Sequence, residues 1–183
     1  MPKLQIINEH QLDDWVSKND REAQTLIVEL ISKLVSVSCP TATHQSFPLH
    51  VNQPGSDGEV MTEFGYKGFV PDGRSFWEIG TGEKAGNKAT KDYRELTAVI
   101  PEDVRKESSF IFVTPRSSAH DWQNTWKEEG VSKWTKTRED QNEWSVVKVI
   151  NGALLTDWLS YFPALGQWFA CRILGLRSGF ETG

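Results

Sequence analysis

Three acids in the first half of this 183-residue chain have spacings that bear on chemistry: Asp57, Asp72 and Glu78. A strand rises roughly 3.3 Å per residue, so an extended 72–78 segment holds Asp72 and Glu78 about 20 Å apart, and they cannot share an ion. Asp57 and Glu78 behave differently. A hairpin folded near Lys67-Gly68 makes them cross-strand neighbours, with Cβ atoms roughly 5 Å apart if both face the same side. Carboxylates that close repel, and the usual remedies are a shared proton, a cationic partner or a bound divalent metal. Oxygen ligands favour Mg2+ or Mn2+. The same spacing also describes a solvated turn aspartate and an edge-strand glutamate. Context weighs against that blander reading, because Glu78 stands in Phe76-Trp77-Glu78-Ile79-Gly80, where an unpaired carboxylate is expensive.

Lys84, Lys88 and Lys91 follow the second acid. A lysine beside a cation's water ligand can orient or help deprotonate it, and can stabilise charge developing on a phosphate. Most such lysines are simply solvated. Lys88 is the best placed, at the start of a helix from which its side chain reaches back toward the strand end.

The elements that must hold these groups are readable in outline. Ala23, Leu26, Ile27, Leu30, Ile31 and Leu34 form one helical face, closed by Cys39-Pro40. A short strand is expected within 47–51, then turn formers at 53–58. A hairpin runs from Glu59–Phe64 through an irregular tip to a strand centred on Ser75–Gly80. Helices are expected over 87–98 and 121–129, the latter carrying Trp122 and Trp126 one turn apart, and over 153–174 with a break at Pro163. Apolar runs at Phe110–Thr114 and Val146–Ile150 read as buried strands. Polar stretches near 8–20 and 131–143 read as loops or linkers. The alternation predicts a three-layer α/β domain with a central mixed sheet flanked by helices. Residues 1–21 are expected to be an N-terminal lead-in, 22–175 the domain, and 176–183 the start of a linker to a further C-terminal region.

Composition narrows the classes. The length and 38% hydrophobic content suit one core. A net charge of −5 argues against binding nucleic acid by bulk charge. Any such contact must be local, and residues 81–138 do hold 11 Lys and Arg against 9 Asp and Glu. Lys133-Trp134-Thr135-Lys136-Thr137-Arg138 is a candidate phosphate-contacting stretch, against the alternative of a solvated loop answered by Glu139-Asp140. Arg94 and Arg116 are weaker candidates. Two cysteines without metal-ligand spacing fit a reducing cytoplasm, and the start of the chain is too short in apolar residues for a signal peptide. The uncharged stretch 158–171 is 14 residues long and cannot span a bilayer. Glu22 and Glu29 fall off the apolar helix face and are expected in solvent. His10, His44, His50 and His120 have no ligand or triad spacing, and there is no phosphate-loop lysine motif for hydrolysing ATP. The eight tryptophans sit mostly at core-packing positions.

Pro54-Gly55-Ser56-Asp57-Gly58, Val70 to Thr81 with its Trp77-Glu78-Ile79-Gly80, and Lys88-Ala89-Thr90-Lys91-Asp92-Tyr93-Arg94 together resemble the restriction-endonuclease-like PD-(D/E)xK nucleases. More narrowly, they resemble the N-terminal effector nucleases of bacterial antiphage STAND NTPases. Phe110 to Arg116, the Trp122/Trp126 pair and Leu155-Thr156-Asp157-Trp158-Leu159 continue the likeness over roughly 22–175. The resemblance implies a restriction-endonuclease-like fold and hydrolysis of DNA phosphodiesters. It implies a divalent metal held by Asp57, Glu78 and the carbonyl of Ile79, with a lysine completing the site. Gly80 stands where the family pattern places that lysine, so Lys88 is expected to have taken over from the helix, with Lys84 the other candidate. Double-stranded DNA, attached NTPase or sensor domains and homo-oligomerisation are the implied partners. A non-catalytic interaction module that kept the fold, and an RNase, are the competing readings.

Overall fold

The computed structural model describes residues 3–49, 55–116 and 128–175, with only the backbone at 128 and 129. The expected helix over 121–129, Trp122, Trp126, His50, His120 and the segment 176–183 lie wholly or mostly outside them.

The apolar stripe of Ala23 to Leu34 does form a helix, α2 (Asp20–Ser38), and all six of its residues are buried. Before it lies α1 (Glu9–Lys18), where the polar composition suggested a loop. Asn8 starts α1 with a reciprocal capping box: its side chain accepts from the Gln11 N–H at 2.9 Å, and the Gln11 side chain accepts from the Asn8 N–H at 3.1 Å. Leu12 and Val16, one turn apart, then enter the core. Part of the expected lead-in is therefore core.

Five strands follow: β1 (His44–Ser46), β2 (Gly58–Thr62), β3 (Gly73–Ile79), β4 (Ser108–Val113) and β5 (Val146–Ile150). They form one sheet in sequence order, antiparallel from β1 to β3 and parallel from β3 to β5. The first strand lies earlier than the 47–51 reading: His44–Ser46 pairs with β2, and Phe47 just after it turns its ring edge-on to Trp77, while residues 50 and 51 lie outside the described residues. The hairpin reverses at Lys67 and Gly68, both with positive φ, which Gly68 adopts without steric cost. Asp72 steadies its base by accepting from the Gly65 N–H at 2.6 Å.

The helices α3 (Ala85–Val99), α4 (Glu102–Lys106), α5 (Glu128–Asp140), α6 (Gly152–Ser160) and α7 (Pro163–Leu174) complete the order. The break at Pro163 is as expected. The stretch 131–143, by contrast, is largely helix, because Trp134 tucks beneath it into the core. Side chains alternate across the sheet. Trp77, Ile79, Ile111, Val113 and Ile150 pack with α1, α2, α6 and α7, whereas Phe76, Phe110, Phe112, Val147 and Val149 pack with α3 and α5. The chain is thus an α/β protein with a five-stranded mixed sheet covered by helices on both faces. The buried indoles of Trp77, Trp134, Trp144 and Trp158 each donate to a Ser or Thr hydroxyl, which supports a structural role for them. Among the described residues no helix is long and apolar enough to cross a membrane.

Candidate functional site

The β2/β3 register decides the geometry. Gly58 pairs with Trp77, so the next step outward places Asp57 against Glu78, as the hairpin arithmetic expects. Asp57 Oδ2 accepts from the Ile79 N–H at 2.8 Å, which ties the acid just before β2 to the end of β3. Strand alternation turns Glu78 to the face opposite Trp77 and Ile79, where α3 lies.

Glu78 is only 6% exposed. Burial pushes its carboxyl up to about 9, and the neighbouring charges of Asp57 and Asp92 and a hydrogen bond with Asp57 push the same way, against Lys88. Without a cation it carries a proton at neutral pH.

Across the cleft, Lys88 Nζ donates to Asp92 Oδ1 at 2.7 Å. Burial draws the lysine pKa down, but Asp92, Asp57 and Glu78 together leave it raised. Asp92 is itself buried, and burial raises its pKa against the opposing Lys88. Among the described residues its Oδ2 has no hydrogen-bond partner. Asp57, Glu78, Lys88, Asp92 and Glu95 line a cleft of about 360 Å³. On the other side of Lys88, the 80–84 loop, Asn87 and Lys91 line a second cavity of about 630 Å³.

The backbone between the acids and the lysine is held from behind. Gln24 of α2 donates Nε2 to the Ile79 carbonyl at 2.9 Å, and its Oε1 accepts from Thr81 Oγ1 at 3.2 Å. Arg116 donates Nε to the Thr81 carbonyl at 2.9 Å and Nη1 to Ser17 Oγ at 2.6 Å, and pairs with Asp13 at 3.4 Å. Arg116 is 3% exposed. Its expected role in touching DNA is therefore corrected to an internal clamp.

Other candidate cations are scattered. Lys84 stands just before α3 without a side-chain capping bond and is exposed, as is Arg94. Lys91 is exposed beside Glu95 at 3.9 Å. The 133–138 stretch is helical, not a loop. Lys133 is exposed, Lys136 pairs with Asp140 at 3.5 Å, and half-buried Arg138 lies over Trp134 at 3.9 Å from the ring centre.

The donor set fits a hard divalent cation. Among the described residues no three His, Cys, Asp or Glu side chains converge on one point. A cation here would be held by Asp57 and Glu78, the two expected ligands that line the cleft, with water completing the shell as magnesium prefers; the Ile79 carbonyl, the third expected ligand, accepts from Gln24 and is not among the residues lining that cleft. Asp92 and Gln24 are the residues that sequence reasoning passed over. Asp92 had a signal, four positions after Lys88, but its burial had none. No family model, curated protein or solved structure matches this chain.

Proposed function

We propose that this chain is a metal-dependent endonuclease domain of the restriction-endonuclease-like class, hydrolysing DNA phosphodiesters. The observation that carries the reading is one juxtaposition: Asp57 and Glu78 side by side at the open end of a hairpin, with Lys88 reaching into the same cleft. Gly80, the residue that favours a non-catalytic module, is also the residue that makes room for the Lys88 stem, and this supports catalysis.

On this reading Asp57 and Glu78, with the Ile79 carbonyl as the resemblance implies, would hold Mg2+ or Mn2+, which when bound would neutralise phosphate charge and lower the pKa of water. Glu78 presents its oxygens from β3, and Asp57, just before β2, is tied to that strand through the Ile79 N–H, so the fold itself orders the pair. Lys88 places a positive charge at the edge of the acidic cleft, where charge develops on a phosphate. Lys84 and Lys91, beside the second cavity, offer contacts to neighbouring phosphates of duplex DNA, and Arg94, Lys133 and Lys136 offer more distant ones. The resemblance further assigns the domain to a larger cytoplasmic antiphage defence protein, activated by homo-oligomerisation of attached NTPase or sensor domains.

The test is Mg2+-dependent cleavage of duplex DNA by the wild type, Asp57→Ala and Glu78→Ala, with melting temperatures alongside. The expected result is loss of cleavage in both variants with folding retained. Unchanged cleavage in both overturns the site, and absence of Mn2+ binding by the wild type in calorimetry favours the interaction module. Parallel digests of single-stranded DNA and RNA rank the substrates.

A further inference from the structure

Asp92 has no part in the proposed metal set, yet it is the more deeply buried member of its ion pair, at 5% side-chain exposure against 45% for Lys88. Burying a carboxylate with one oxygen unpartnered among the described residues is costly, and a single helical i,i+4 pair recovers little of that cost. The pair is therefore poorly explained as a device for stabilising α3.

Its geometry explains it better. A lysine is a point charge on a stem with four rotatable bonds, and it acts at a defined place only if the stem is restrained. At position 80 a β-carbon would stand 2.8 Å from Lys88 Cγ, so the stem lies close over the Gly80 backbone. At its far end, Asp92 Oδ1 holds Nζ at 2.7 Å. The floor and the tether leave the ammonium at the rim of the cleft that also contains Asp57 and Glu78. We infer that Asp92 is a positioning residue that fixes the Lys88 ammonium at this cleft, so that a helix-borne lysine serves where the strand offers only Gly80. The inference rests on the nuclease reading for its consequence in catalysis, but not for the contact itself.

The experiment uses the full chain as wild type, Asp92→Asn, Lys88→Ala and the double variant, with melting temperatures to confirm folding. Asp92→Asn is expected to lower kcat for Mg2+-dependent DNA cleavage by about tenfold or more with KM little changed. In the Lys88→Ala background the same substitution is expected to change the rate by less than about twofold, because its effect passes through the lysine. Equal losses in both backgrounds, or a loss carried by KM, overturn the positioning role. Asp92→Glu is expected to recover part of kcat, and if Asn prevents folding this variant carries the comparison. A second readout needs no activity: trace acetylation with acetic anhydride, read by mass spectrometry. Lys88 is expected to react more slowly than Lys84 in the wild type, and to approach it in Asp92→Asn. Equal Lys88 labelling in both proteins overturns the inference. A wild type that cleaves nothing but shows the labelling difference overturns the nuclease reading and upholds the tether.

Discussion

Lys88 lies across Gly80 so closely that a β-carbon added there would meet Lys88 Cγ at 2.8 Å and the Phe112 ring at 2.9 Å. The lysine can shift, but the ring is fully buried and cannot easily do so. Gly80→Ala is therefore expected to cost about 1–3 kcal/mol by overpacking. It should also lower DNA cleavage by pushing Lys88 off its floor. Denaturant unfolding and a cleavage assay check both, and an alanine variant with wild-type values in each removes Gly80 from the argument.

Glu78 supplies a pH signature. Its carboxyl is raised to about 9 in the folded chain by burial first, then by Asp57 and Asp92, with Lys88 opposing, against 4.5 for the free group. Between those values the folded state binds more protons than the unfolded state, so stability without a cation falls as pH rises from about 4.5 to about 9. Glu78→Gln is expected to flatten that slope, leaving only the part due to Asp92, whose carboxyl burial also raises. Thermal melts of both proteins in a chelator from pH 5 to 9 measure the difference, and parallel curves contradict the assignment.

The same proton gives a test of the ligand set. A cation bound by Glu78 at pH 7.5 must displace it, so about one proton is released per ion. Mn2+ calorimetry in buffers of different ionisation enthalpy counts it. A heat independent of buffer excludes Glu78 as a ligand.

Arg116 is expected to behave as an internal clamp. Arg116→Ala removes a buried donor from Asp13, Ser17 and the Thr81 carbonyl. The expected loss is about 1–3 kcal/mol, read from unfolding curves. Lys84→Ala and Lys91→Ala are expected to leave stability almost unchanged and each reduce the salt dependence of DNA binding by about one in slope. The reverse pattern returns Arg116 to the DNA surface.

Much of the arrangement was legible in sequence where local signals agreed. Lys67-Gly68 marks the reversal, and the alternation along β3 then puts Asp57 beside Glu78 without any knowledge of the helices. The illegible parts depend on distant partners or thin patterns. The inward face of α1 rests largely on Leu12 and Val16, and that of α5 on one tryptophan and its neighbours, so both read as polar loops. Arg116 read as a surface cation because its burial depends on Asp13, 103 positions earlier. Asp92 had the right helical spacing from Lys88, but a carboxylate's exposure is decided by what the rest of the fold lays over it.

The clamp behind the 79–81 backbone joins residues far apart along the chain: Gln24 to Ile79 across 55 positions, and Arg116 to Asp13 across 103. Contacts of such sequence separation carry a large loop-closure cost and slow folding. A partly folded chain would own both acids and the lysine but not the frame that holds them in register. On the nuclease reading, cleavage then depends on α1 and α2 being docked, although neither helix carries a member of the proposed metal set.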